Sequence, residues 1–257
     1  MDYTHFLDIA RSAALEAEER ILHYYGGTLE IEIKADLTPV TVADQEAERI
    51  IRQRLSDAFP GHGIIGEEYG SQSAGSEYRW LIDPIDGTKS FVGGFGMFST
   101  QIALMHGDQI IVGVSNAPAM GELAWATRGG GAWLNGEALQ VSTQETIEGA
   151  SLSTGNIGSL ARSPRWQALG TILACAGRTR GYGDYYHYHR LAAGQLDAVI
   201  ESEVNILDIA AVSLIVSEAG GVFTDLDGNP VGDDTRSVLA APGRLHGRLL
   251  SVLNEAR

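Results

Sequence analysis

The sequence predicts an α+β protein, and three observations carry the prediction. Apolar residues recur at helical spacing up to about residue 60, short apolar runs bounded by Gly, Asp or Asn fill Gly63 to Val141, and the remainder alternates between the two patterns. Phe6, Ala10, Ala13, Ala14, Ala17 and Ile21 form one face of an opening helix, with Gly26-Gly27 as its stop. A second helix is expected in TVADQEAERIIRQRLSDAFPG, with Thr41 as N-cap, Ala47, Ile50, Ile51 and Leu55 as its stripe, and Pro60-Gly61 as terminator. GIIGEE, YRWLID, STQIALMHG, QIIVGVSNA, ELAWATRG and GAWLNG then read as a largely antiparallel sheet. Next come a strand near Ala150 to Ser153, a helix from about Trp166 to Ala176, and helix or helix-strand units in HRLAAGQLDAVIES and DIAAVSLIVSEAGG. A strand in GVFTDLDG with an Asp-Gly turn and a helix in RLHGRLLSVLNEA close the chain. Two packed lobes, 1–145 and 146–257, fit this order better than two tethered domains.

Composition narrows the function. The hydrophobic fraction of 44% can fill a sizeable core. The 33 acidic residues against 18 basic ones give a formal net charge of −15, which repels a nucleic-acid backbone and an anionic membrane. Neither is expected as a partner. The lone Cys175 allows no intrachain disulfide, and MDYTHFLDIARSAALEAEER lacks the continuous apolar run of a signal peptide or membrane span. A cytoplasmic location follows as the expectation.

In WLIDPIDGTKSF an apolar run ends at Asp83, and Pro84 removes a donor and bends the path, so the Asp83 and Asp86 side chains can turn to one place. Gathered carboxylates repel each other unless a cation joins them. Mg²⁺ suits such a site, because it takes oxygen ligands, keeps several waters and favours one or two carboxylates plus a substrate phosphate. The Ile85 carbonyl is a further oxygen, and Gly87 and Thr88 offer N–H groups to an anion if they open a helix or tight turn. An ordinary Asp-rich turn accounts for the bare pattern equally well. Glu67 and Glu68 follow another Gly-bounded strand, Asp208 is placed to cap an apolar helix, and KADLTPVTVAD sets Lys34 and Asp44 around a helix start.

Taken together, GEE, WLIDPIDGT and LDIAAVSLIVSEAGG resemble the inositol monophosphatase superfamily in order and spacing, over nearly the whole chain. The resemblance implies a layered α/β/α/β/α sandwich, a homodimer, Mg²⁺ dependence and lithium sensitivity. It also implies that Glu67, Asp83, Asp86 and Asp208 hold the ions, and that Thr88 with Asp44 orients and deprotonates the attacking water. Lys34 is placed nearby with no firm role.

Within that superfamily, three features favour the histidinol-phosphate branch: Lys89-Ser90, GYGDYYHY with Asp184, and Glu201 ahead of Asp208. Histidinol carries an ammonium and an imidazole, so Asp184 and Glu201 are expected to hold it by charge-assisted hydrogen bonds. An inositol or sugar phosphate offers no such cation; phosphatases of those esters, and a non-catalytic protein on the same fold, are the competing readings. Tyr182, Tyr185, Tyr186 and Tyr188 read as sheet or interface residues, and His187 and His189 as one face of a strand. Those two histidines make only a weak Zn²⁺ pattern, lacking a third ligand. Leu207 departs from the aromatic residue that the family places before its late aspartate, which bears on substrate fit more than on metal binding.

Overall fold

The computed structural model describes residues 2–25, 31–33, 39–72 and 75–255, with no side chains described for 31–33 and 39–41. Gly26-Gly27, Lys34 and the capping side chain expected at Thr41 therefore lie outside the described residues. The chain forms two units, Met1–Glu137 with Leu207–Ile215, and Ala138–Ile206 with Val216–Arg257.

In the first unit, the expected stripe becomes helix α1 (Thr4–Tyr24), burying Ala10, Ala13, Ala14, Ala17 and Ile21. Helix α2 (Val42–Ala58) buries Ala43, Ala47, Ile51 and Leu55 and packs against α1. Strands β1 (Ile31–Ile33) and β2 (Pro39–Thr41) pair antiparallel. An eight-stranded sheet follows, comprising β3 (Gly63–Gly66), β4 (Gly70–Gln72), β5 (Tyr78–Asp86), β6 (Ser99–His106), β7 (Gln109–Ala117), β8 (Glu122–Thr127), β9 (Ala132–Leu134) and β10 (Glu137–Ala138). Its order is β10-β9-β8-β7-β6-β5-β3-β4, and the expected antiparallel character holds except where β3 joins β5 in parallel. A short helix, α3 (Thr88–Val92), leaves the end of β5.

Alternation along the strands gives this sheet two different faces. Trp80, Ile82, Ile102, Leu104, Val112 and Val114 join the α1 and α2 residues in one apolar cluster. Leu81, Ala103 and Gly113 are cross-strand partners on the opposite face. A Cβ at Gly113 would lie 2.6 Å from the Ala211 carbonyl oxygen, so the segment Leu207–Ile215 packs directly on that second face.

The second unit is built on β11 (Ser151–Thr154), β12 (Arg178–Arg180), β13 (Ala198–Ser202), β14 (Gly221–Thr224) and β15 (Ser237–Pro242), in the order β12-β11-β13-β15-β14. Its helices are α4 (Ile157–Arg162), α5 (Trp166–Cys175), α6 (Asp184–Ala192) and α8 (Gly243–Glu255), with α7 (Ile206–Glu218) shared between the units. Leu152, Ile200 and Leu239 meet Leu160, Leu169, Ile172, Leu245 and Leu249 in its core. Two expectations need correction. The stretch Asp184–Ala192 is a helix and not a strand, because Tyr185, Tyr188, His189 and Ala192 are buried at helical spacing and packing overrides the β-preference of tyrosine. Asp208, expected as an N-cap, stands in the first turn of α7, which begins two residues earlier.

Candidate active site

Two side chains three residues apart on a regular strand point to opposite faces. Asp83 and Asp86 escape this rule through a register shift: Asp83 pairs with Gln101 while Asp86 pairs with Ser99, so three steps on β5 span two on β6. The extra residue is a β-bulge, and it puts both aspartates on one face. Pro84 sits inside it with no N–H to satisfy, and its carbonyl accepts the Thr100 hydroxyl at 2.9 Å. Asp83 Oδ1 in turn accepts the Ile85 N–H at 3.0 Å. Asp83 shares its face with Leu81, where the Leu207–Ile215 segment packs. Ala211 lies over Gly113, and Asp208 lies three residues before it on the same side of α7, so Asp208 is carried toward Asp83.

Gly87 holds φ at 86°, a left-handed conformation that favours glycine, and turns the chain into α3. Thr88 at its start donates to the Ile85 carbonyl at 3.0 Å and reaches Asp44 Oδ1 at 3.4 Å. Asp44 comes from the first turn of α2 and is buried.

Glu67 lies in the turn after β3, fixed by its own N–H to the Ile82 carbonyl at 3.2 Å. That turn has a second anchor which sequence reasoning missed. Glu48, wholly buried on α2, accepts the N–H of Glu68 at 2.7 Å and of Tyr69 at 3.2 Å, and pairs with Arg52 Nε at 2.6 Å. Arg52 also donates to the Gly70 carbonyl. A Cβ at Gly66 would fall 2.1 Å from Glu48 Oε1, so the first residue of GEE must be glycine for the anchor to fit. The available signal was a carboxylate at position 48, one turn after Asp44 and inside the apolar stripe of α2.

The first unit thus brings together Asp44, Glu67, Asp83, Asp86 and Asp208. Asp83 is driven well above the usual carboxylate range, first by burial and then by the charges of Glu67, Asp86, Asp208 and Asp44. This cost identifies what the site is built to receive. Its donors are all oxygen, a hard-cation set, and a divalent ion would reverse the repulsion that raises Asp83. Among the described residues no three His, Cys, Asp or Glu side chains stand in a ready-made ligand shell. Mg²⁺ does not require one, since it retains several waters. The carbonyl of Ile85 keeps a second lone pair beyond the one given to Thr88.

Asp184 and Glu201 both belong to the second unit. Asp184 opens α6, half-buried, in a left-handed conformation with φ of 48°. Glu201 on β13 is buried, and its Oε2 accepts from His187 Nε2 at 3.0 Å and from the Tyr188 hydroxyl.

With hydroxyl, carbonyl and carboxylate oxygens gathered at a strand bulge of an α+β fold, the chain falls by its relatives in a class, the phosphomonoesterases. The sequence profile of the inositol monophosphatase family matches residues 2–257, and the chain belongs to that family. It is 38% identical to a histidinol-phosphatase of Streptomyces coelicolor, over 99% of this chain and 98% of that one. A histidinol-phosphatase of Mycobacterium tuberculosis is 37% identical, over 96% and 97%. A fructose-1,6-bisphosphatase/inositol-1-monophosphatase of Aquifex aeolicus is 32% identical, over 96% and 94%. Among solved structures, the extragenic suppressor protein suhB of Bartonella henselae superposes with a TM-score of 0.91 at 30% identity, covering 98% of this chain and 99% of that one. Among the described residues no helix is long and apolar enough to cross a membrane.

Proposed function

We propose that the chain is a Mg²⁺-dependent phosphatase of L-histidinol phosphate. The observation that carries the substrate is similarity at 36–38% identity, over at least 96% of the chain, to three proteins named histidinol-phosphatase. The presence of Asp184 and Glu201 supports it, since both supply negative charge for the ammonium and imidazole of histidinol. Glu67, Asp83, Asp86, Asp208 and the Ile85 carbonyl are the proposed Mg²⁺ ligands. Mg²⁺, when bound, supplies Lewis acidity that acidifies water and offsets charge on the phosphoryl group and the leaving alkoxide.

The chain's own residues then divide the work. Asp44 accepts the proton of the attacking water, and Thr88 orients that water through its hydroxyl. Oxygen attacks phosphorus in line, the ester P–O bond breaks, and the leaving oxygen takes a proton to give histidinol and phosphate. The Gly87 and Thr88 amides face the phosphate oxygens. A cytoplasmic homodimer inhibited by lithium completes the proposal.

The experiment is inorganic phosphate release with Mg²⁺ from L-histidinol phosphate and inositol 1-phosphate, for the wild type and Asp184→Asn. Wild type should prefer histidinol phosphate. The variant should lose one to two orders of magnitude on that substrate alone, since a charge-assisted contact contributes ~1.5–3 kcal/mol. Unchanged histidinol-phosphate turnover in Asp184→Asn would reject this substrate in favour of an inositol or sugar phosphate, which the dual name of the Aquifex relative represents.

A further inference from the structure

Below the start of α6 runs a continuous polar chain buried in the second unit. Ser153 and His187 are fully buried and Glu201 is 4% exposed. The N–H of Tyr182 donates to Ser153 Oγ at 3.3 Å, and the N–H of Gly183 donates to His187 Nδ1 at 3.3 Å. Ser153 Oγ lies 3.2 Å from the same Nδ1. An Nδ1 that accepts an amide proton carries none of its own, so the ring proton sits on Nε2 and is donated to Glu201 Oε2 at 3.0 Å. Tyr188 donates to the same carboxylate oxygen, and a Cβ at Gly155 would lie 1.8 Å from the other. Every partner of this ring is therefore fixed.

The two amides so held belong to the residues immediately before Asp184. Asp184 itself adopts φ of 48°, a left-handed conformation uncommon for a residue other than glycine, which the surroundings hold in place. We infer that His187 is a positioning residue for substrate recognition: its Nδ1 accepts the Gly183 N–H, Ser153 Oγ beside it accepts the Tyr182 N–H, and the turn so held fixes the direction of Asp184, while Glu201 holds the ring from behind. This rests on Asp184 being the partner of the substrate's cationic end. Much of the contribution of Glu201 to recognition then passes through His187.

The two ring nitrogens can be tested separately in the full-length protein. In His187→Gln the amide reaches the Nε2 position and keeps a donor for Glu201, but the acceptor for Gly183 is gone. In His187→Asn the side-chain oxygen sits near the Nδ1 position and keeps that acceptor. Each variant is assayed with Mg²⁺ on L-histidinol phosphate and on glycerol 2-phosphate, and amide hydrogen exchange at Tyr182 and Gly183 is followed by NMR. His187→Gln should raise KM for histidinol phosphate about tenfold, as loss of a contact to a charged group does, and leave kcat on glycerol 2-phosphate within about twofold. Its Gly183 amide should exchange faster, and His187→Asn should restore both readouts. Ser153→Ala, which removes the acceptor of the Tyr182 N–H beside Nδ1, should raise KM for histidinol phosphate and speed exchange at Tyr182 if His187→Gln does not fold. Equal losses on both substrates, or exchange at Gly183 in His187→Gln unchanged from wild type, would overturn the inference. If wild type shows no preference for histidinol phosphate, the substrate assignment fails and exchange alone decides the positioning role: fast in His187→Gln and protected in His187→Asn supports it, while no difference overturns it.

Discussion

Glu48 shows what one residue can do without touching substrate. Its carboxylate takes two successive amides of the turn that presents Glu67, and Arg52 offsets its buried charge. Groups placed behind a metal ligand, the role proposed for Glu67, set the ligand's orientation, and their loss typically lowers metal affinity 10–100-fold. Glu48→Gln keeps one acceptor oxygen but loses the ionic pair with Arg52. The concentration of Mg²⁺ needed for half-maximal phosphate release should rise about tenfold, with kcat at saturating Mg²⁺ nearly unchanged. An unchanged Mg²⁺ requirement would show that the Glu67 turn holds itself. The five acids of the cluster were legible because they end apolar runs or start helices, in family order. Glu48 was not, because a carboxylate on an amphipathic helix ordinarily faces water, and its burial depends on a turn some 20 residues further along.

At the scale of elements, legibility followed periodicity. α1, α2, α8 and the antiparallel run from β5 to β8 each stand on a repeat of apolar residues that sequence displays directly. The parallel pairing of β3 with β5 carries no such mark, nor does the bulge, although Pro84 announced that β5 could not continue regularly. α6 was misread because tyrosine favours strands and His187 and His189 are spaced like one strand face, while the element is decided by which of these residues are buried. α8 offers a test of how firmly an element is seated. His246 is buried on its inner side with Nε2 2.9 Å from Thr224 Oγ1 of β14, and burial lowers its pKa below 6.5. A base whose folded pKa is depressed stabilises the fold fully above its unfolded pKa, and this contribution is lost as pH falls below it. His246→Gln should therefore be less stable than wild type at pH 8, and the gap should narrow as pH drops below about 6.5. Urea unfolding at both ends of that range measures it; a gap independent of pH would mean that His246 never exchanges its proton on unfolding.

At the scale of the molecule, the cluster joins residues as distant in sequence as Asp44 and Asp208, and Asp208 reaches the first unit only because Leu207–Ile215 packs on its sheet. Local pattern cannot show that closure; here the family resemblance stood in for it. The arrangement gathers carboxylates inside a chain already carrying a formal charge of −15, so folding without a cation works against both local and global repulsion. A divalent ion that binds only the folded state must add stability by mass action. At a concentration a hundredfold above its Kd the gain is about 2.7 kcal/mol, or roughly 5–10 °C in Tm for a chain of this size. Added MgCl₂ should raise Tm by that order over an equal ionic strength of NaCl, which controls for plain screening. Asp86→Asn removes one ligand and one repelling charge together, so two opposite effects are expected from a single substitution. Without Mg²⁺ the variant should match or exceed the wild-type Tm, whereas with Mg²⁺ it should fall below, having lost most of the shift and nearly all phosphate release. If Mg²⁺ moves the two proteins equally, the ion is acting on the acidic surface as a whole and the strand bulge does not hold it.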